Sequence, residues 1–427
     1  MIVAFFTACS LAIASGVNAD EPWVADPALV ASSAANNKDF NYEESRVPQY
    51  TLPDPLRGEN GTLVADAAGW PSRREETMGL FRSYVYGSRP TTDYRVTFEV
   101  TAEKQALFDL NATGRAVTVT IASGAETFSF PMLVFLPAIK NSNRGSGIAT
   151  CPAVIQINNQ EFPSLDVAIT EKNGFWPVQD LMNRGYVACA VSTSAIDPDR
   201  ADGFNDGLRG FFARAAGDIT KISSDDAWKS LSAWGWGASR ALDYLLTLDQ
   251  VDKSKIALIG HSRGGKSALW AAAEDTRFAI VCSNNSGCGG AALSRRAYGE
   301  TVARITKSFP HWFCDRFSFY AGREAELPID QHQLIALIAP RPVYVTSASD
   351  DLWADPRGEY LSLVEAAPVY KLFGPDAIQS SAMPAIAQPR MEGKMGYHIR
   401  SGPHGLTEYD WEKYLDFCDK QWRRIDR

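Results

Sequence analysis

The sequence predicts an α/β fold: a three-layer αβα sandwich around a mixed, mostly parallel sheet. Three observations carry that expectation. From Cys151 onward, short apolar strand-like runs alternate with helical stretches, the pattern of parallel strands with helices on both faces. Before them, Tyr94 to Val100, Val117 to Ile121 and Phe128 to Leu136 succeed one another without intervening helices, as leading antiparallel strands. At mid-chain the apolar run Ile256 to Ile259 passes through Gly260-His-Ser-Arg-Gly264 into the helix formers Lys266 to Ala273, which sets a serine on a sharp strand-to-helix turn.

The N-terminus reads as a leader. Met1 to Ala19 is apolar, carries no charge and ends in Gly-Val-Asn-Ala19 before Asp20, which suits signal-peptide cleavage after Ala19 and a secreted or periplasmic product. The rest, 20–427, is expected to form a single domain with an extended N-terminal segment over about 20–90, Pro- and Asp-rich and irregular as far as about residue 75. The 427 residues are 45% hydrophobic and 22% charged, a globular composition. The net charge of −8 argues against nucleic acid and against anionic membrane surfaces as partners. No segment is long and apolar enough to suggest a membrane anchor, and a monomer is expected.

Asp66 to Tyr86 has a helical apolar face of Trp70, Met78, Leu80, Phe81 and Tyr84. Ala153 to Ile157 is a strand whose exit, Asn158-Asn-Gln-Glu161, stands where one oxyanion-hole amide is expected. Pro177 to Arg184 reads as helix and Tyr186 to Val191 as strand. Ser192 to Ala215 reads as a long polar loop, either surface or lid. Asp225 to Leu248 is predicted as a helix with Ser224 as N-cap, and Trp228 and Trp234 as core packing. Phe278 to Ser283 and Pro342 to Thr346 are strands, and Thr407 to Trp422 is a closing amphipathic helix. Of the cysteines left after cleavage, Cys151, Cys189 and Cys282 read as buried thiols, and Cys288 with Cys314 as a disulfide. No CxxC or HxxxH cluster suggests a metal, and no cofactor is expected.

Serine is a weak nucleophile unless a base takes its proton, and the base needs an acid to hold its tautomer. In α/β-hydrolases, the class to which a G-x-S-x-G elbow points, the order is Ser, then Asp or Glu, then His. Ser262 is therefore the candidate nucleophile. Of the histidines, His261 is too close to turn back, His311 and His332 come too early, and His398 sits in the strand-like run Tyr397 to Ile399. His404 lies in a Gly-flanked loop before the last helix, where the base belongs. Asp350, Asp351 and Asp355 all follow the strand Pro342 to Thr346. Asp351 is preferred, then Asp350; Asp355 precedes Pro356 and reads as a helix cap. Arg263 supplies the expected oxyanion N–H, and its guanidinium a further donor. Lys266 lies one helical turn beyond Ser262 on the same face.

Gly260-His-Ser-Arg-Gly-Gly-Lys-Ser-Ala-Leu269 resembles the G-[CH]-S-R-x-G-K-x-A-L signature of glucuronoyl esterases, the fifteenth carbohydrate-esterase family. Ser286-Gly-Cys-Gly-Gly-Ala-Ala-Leu293, Ala339-Pro-Arg-Pro342, Trp353-Ala-Asp-Pro-Arg-Gly-Glu359 and Tyr397-His-Ile-Arg400 resemble its bacterial branch. The resemblance implies cleavage of esters between (4-O-methyl-)glucuronate of xylan and lignin alcohols. It implies Ser262 as nucleophile, His404 as base and Arg263 as oxyanion stabiliser, with Lys266, Glu300 and Trp353 against the glucuronate ring. One position departs: where many members carry the triad glutamate, after the strand that follows the elbow helix, this chain has Asn285. The acid is then Asp351, which bacterial members also carry, or the enzyme is impaired. An acetyl-xylan or other carbohydrate esterase on the same fold is the alternative activity, and a non-catalytic carbohydrate-binding relative the alternative from another class.

Overall fold

The computed structural model describes residues 21–138, 150–217 and 224–425; the expected leader, Met1 to Ala19, lies outside them. Ten strands form one sheet: β1 (Arg95–Leu107), β2 (Ala112–Ser123), β3 (Glu126–Leu136), β4 (Cys151–Asn158), β5 (Val187–Ser192), β6 (Val251–His261), β7 (Ile280–Asn284), β8 (Val343–Ala348), β9 (Arg390–Glu392) and β10 (Met395–Arg400). Their spatial order is β1-β2-β3-β5-β4-β6-β7-β8-β10-β9. The three leading strands are antiparallel, β3 joins β5 antiparallel, and the run from β5 through β4, β6, β7 and β8 to β10 is parallel. Pairing carries several strands beyond the apolar stretches that announce them.

Central strands are apolar on both faces because helices cover both. Ile155, Cys189, Val191 and Leu258 point into one core with the helices Trp70–Phe81, Ser230–Leu245, Arg263–Glu274 and Pro356–Lys371. Their neighbours Val154, Ala188, Ala190, Ala257 and Ile259 point into the other core, with Val178–Asn183 and Glu408–Ile425. Trp228 and Trp234 are buried in the first core, as expected.

Several expectations need correcting. The helix foreseen from Asp225 begins at Ser230, so Ser224 is not its N-cap; the segment before it instead runs beside the chain at Ser88, whose N–H reaches Asp226 O at 2.8 Å. Ser192 to Ala215 is not an uninterrupted loop: it contains the helices Thr193–Ile196 and Leu208–Ala215, the latter burying Leu208, Phe211 and Phe212. The N-terminal segment includes the helix Pro27–Asn36, started by Asp26, whose carboxylate accepts from Ala28 N at 2.7 Å. Cys288 and Cys314 are not joined, and the six cysteines among the described residues are free thiols. The Cys314 Sγ faces the Ser83 carbonyl at 3.9 Å instead, at the start of a short helix that the backbone ties to Val85.

Candidate active site

The elbow is built from backbone crowding. Ser262 has φ 55° and ψ −123°, a conformation a non-glycine residue holds only when its surroundings impose it. Two clamps do so: Ser262 N donates to Asn284 O on the adjacent strand at 2.8 Å, and Lys266 N donates to Ser262 O at 3.1 Å. A side chain at Gly260 would lie 2.0 Å from the Gly264 carbonyl oxygen, and one at Gly264 would lie 2.8 Å from Ile157 O. Only hydrogen at both positions lets the helix start this close to β4 and β6.

A cavity of about 350 Å³ opens above the C-terminal ends of β6, β7 and β8. Ser262, Arg263, Lys266, Glu300, Asp351, Trp353 and His404, all seven residues singled out from the sequence, line it, together with Asn285, Phe309 and Trp312. His404 Nδ1 lies 2.6 Å from Asp351 Oδ2. Asp351 is buried while the His404 side chain remains 43% exposed, so the ring is held from the protein side and open towards the cavity. The neighbouring acids point elsewhere. Asp350 is exposed and takes the Ser349 hydroxyl at 2.6 Å. Asp355 caps the helix Pro356–Lys371 through Gly358 N at 3.0 Å and pairs with Arg296 at 2.8 Å.

Asn285 stands beside Asp351. Its Nδ2 donates to Asp351 Oδ2 at 3.2 Å, the same oxygen that meets His404. His261 packs against His404: its ring centroid is 4.5 Å from that of His404, and its Nδ1 meets Asn284 Oδ1 at 2.6 Å. Burial, reinforced by His404, pushes His261 down to about 3, so its ring stays neutral at ordinary pH.

The wall around Lys266 and Arg263 is charged and aromatic. Lys266 is buried, its ammonium donates to Ser286 O, and burial lowers its pKa against the pull of the Glu300 carboxylate. Burial raises Glu300 while Lys266 opposes. The Trp353 carbonyl accepts from Glu300 N at 2.9 Å, and Phe40 of the N-terminal segment packs edge-on against the Trp353 ring at 4.8 Å. The Arg263 guanidinium is bound by Asp199, which also accepts from His311 Nε2 at 2.8 Å and Trp312 Nε1 at 2.7 Å. Burial alone would raise Asp199; the His311, Trp312 and Arg263 contacts outweigh it and hold the carboxyl below its ordinary value. The Trp312 ring stacks on Phe309 at 3.7 Å, with the Arg263 guanidinium 5.2 Å from its centroid.

Asp199, His261, Phe309, His311 and Trp312 were not singled out as functional from the sequence. Asp199 sits in the acid-rich run Asp197 to Asp202, a signal that marks a turn as readily as an anchor. Phe309 and Trp312 reach the cavity, and His311 reaches Asp199, only through tertiary folding; His261 is the sequence neighbour of Ser262, but its packing against His404 is set by the fold.

The family model described as "Glucuronyl esterase, fungi" matches residues 214–374. The carbohydrate esterase MZ0003, from an unknown prokaryotic organism, is 37% identical over 93% of this chain and 94% of its own length. The chain belongs to the glucuronoyl esterase family. A promiscuous esterase of carbohydrate-esterase family 15 from a marine bacterial metagenome superposes with a TM-score of 0.77 at 37% identity, covering 89% of this chain and 99% of that one. The glucuronoyl esterase from Solibacter usitatus gives 0.78 at 35% identity, over 88% of this chain and all (100%) of that one. As a member of this family of α/β-hydrolases, the chain is a carboxylic ester hydrolase.

Proposed function

We propose that the enzyme hydrolyses esters of glucuronate, 4-O-methylated or not, that link xylan to lignin alcohols, through an acyl-enzyme on Ser262. The observation that carries this reading is the cavity shared by a strained serine, a His–Asp pair 2.6 Å apart and a buried lysine facing a carboxyl and a tryptophan. His404 Nε2 takes the Ser262 proton as Oγ attacks the ester carbonyl; Asp351 holds the proton on Nδ1 and stabilises the imidazolium. The Arg263 N–H and its guanidinium face the developing oxyanion. His404 then protonates the departing alcohol. A water, deprotonated by His404, cleaves the acyl-enzyme and releases glucuronate.

Lys266, Glu300 and Trp353 would bind the uronate ring. An ammonium has three donors, of which Ser286 takes one, and Glu300 offers an acceptor opposite. Such a pair suits a ring bearing several hydroxyls and has no counterpart in an acetyl group. Export is part of the same proposal, since the substrate is a wall polymer; no helix among the described residues is long and apolar enough to cross a membrane.

A broader acyl range is the second reading, favoured by the marine relative, which is described as promiscuous. A panel of benzyl glucuronate, methyl glucuronate and acetylated xylose separates the two. Glucuronate esters should be the better substrates, and Lys266→Ala should harm them selectively and chiefly through KM. Faster acetyl hydrolysis, or an equal effect of Lys266→Ala on both classes, would discard the glucuronate assignment.

A further inference from the structure

The segment Tyr397-His-Ile-Arg400 belongs to the family resemblance, yet the proposed chemistry uses none of its side chains. Its position explains why it matters. Arg400 ends β10, and the loop that follows carries His404. The guanidinium turns back under that loop and donates to three of its carbonyls: Ser401 O at 3.0 Å, Pro403 O at 2.9 Å and Gly405 O at 2.7 Å. These carbonyls lie on both sides of His404. Arg400 Nε is fixed in turn by Asp410 Oδ2 at 3.0 Å.

Asp410 is fully buried and ties β10 to the start of the closing helix. It accepts His398 Nε2 from β10 at 2.9 Å, and Thr407 N and Oγ1 at 2.8 and 2.7 Å at the start of the closing helix. His398 is held from its other side by the Tyr344 hydroxyl at 3.1 Å. The loop is also zipped to the residues before the acid. Ser349 N donates to Arg400 O at 2.8 Å, Asp350 N to Gly402 O at 3.1 Å, and Gly402 N to Ser349 Oγ at 3.2 Å. The zipper fixes both ends of the pair on one frame, and the conformation of the loop beyond Gly402 then decides where His404 stands against Asp351.

We propose that Arg400, clamped by Asp410, is the positioning residue of the base: its guanidinium sets the loop geometry that holds His404 against Asp351 and over Ser262. The inference rests on the reading of His404 as the base. Arg400 touches neither substrate nor the reacting atoms, and acts through the loop. A lysine in its place has one donor atom instead of a planar fork and cannot serve Asp410 and three carbonyls together. The base would then sample misplaced positions, and a misplacement of about 1 Å can cost on the order of 10²-fold in rate.

The test compares Arg400→Lys, Arg400→Ala and His404→Ala in the full chain, with kcat and KM on benzyl glucuronate and thermal melting of each. The expected result is an inactive His404→Ala. Arg400→Lys should melt cooperatively and lose at least about tenfold in kcat with KM within about twofold. Arg400→Ala should recover part of its kcat in millimolar guanidinium but not in equal sodium chloride. If His404→Ala keeps kcat within about tenfold, the base assignment itself fails. If His404→Ala is inactive but Arg400→Lys stays within about threefold of wild type, or loses KM rather than kcat, the positioning role alone is overturned. Failure of both Arg400 variants to fold would overturn it too, by making Arg400 an anchor of the fold rather than of the base.

Discussion

Replacing Asp351 by asparagine isolates the charge of the proposed acid from its geometry. In serine proteases the corresponding change costs about 10⁴-fold in kcat, because the amide turns its NH₂ towards the histidine and selects the wrong tautomer. Here Asn285 alters the expectation. Its Nδ2 donates to the same Asp351 oxygen that meets His404, so an amide at 351 avoids a clash of two NH₂ groups only by placing its oxygen there. Nδ1–H would still be accepted and the tautomer kept. What is lost is a full negative charge beside an imidazolium. At a separation of about 4 Å and an effective dielectric near 20, that interaction is about 4 kcal/mol. At about 1.36 kcal/mol per decade, kcat should fall about 10³-fold, with little change in KM. Steady-state rates on benzyl glucuronate measure it, with Asp350→Asn as the control expected to stay close to wild type. A kcat within tenfold of wild type, or a loss confined to KM, would remove Asp351 from the mechanism.

Ser262→Ala should reduce esterase activity by at least about 10³-fold without lowering the melting temperature, as activity assays and calorimetry on one preparation would reveal; activity within tenfold of wild type would clear the serine. Asp199→Asn should lower kcat/KM for glucuronate esters about tenfold or more by releasing Arg263 and Trp312, and an effect under twofold would make that cluster dispensable. Glu359 is fully buried, accepts Gly287 N at 2.9 Å and meets Ser347 Oγ at 2.7 Å; burial lifts its carboxyl to about 8. The folded state thus keeps a proton that the unfolded chain releases near 4.5, so this group's contribution to stability is complete below about pH 4.5 and is lost as pH rises to about 8. Glu359→Gln keeps a neutral acceptor and donor, so its melting temperature should gain on wild type between pH 5 and 8; a difference independent of pH would refute the shift.

The local pattern was enough to specify much of the architecture. Strand and helix periods, the glycines around Ser262 and the change of pattern at Cys151 are properties of neighbouring residues, and neighbours suffice to dictate a strand–turn–helix. The order nucleophile, acid, base narrowed five histidines to His404, and the strand before Asp351 narrowed the acids to three. Asp355 could be read as a helix cap because Pro356 follows it. The start of the helix at Ser230 could not be read, because apolar residues continue to Trp228 and only the pairing of the preceding chain with residue 88 ends the helix there.

What sequence alone determined is therefore the α/β sandwich, the elbow and the set of residues offered to the site. Tertiary structure decided how they meet: that Asn285 stands beside Asp351, that His261 packs against His404, that Asp199 reaches Arg263, and that Cys288 and Cys314 do not pair. The physical reason is the range of the forces. Propensity and periodicity act over a few residues, whereas hydrogen bonds and charge act over a few ångströms between groups as far apart in sequence as Asp199 and His311, and folding alone brings such groups together.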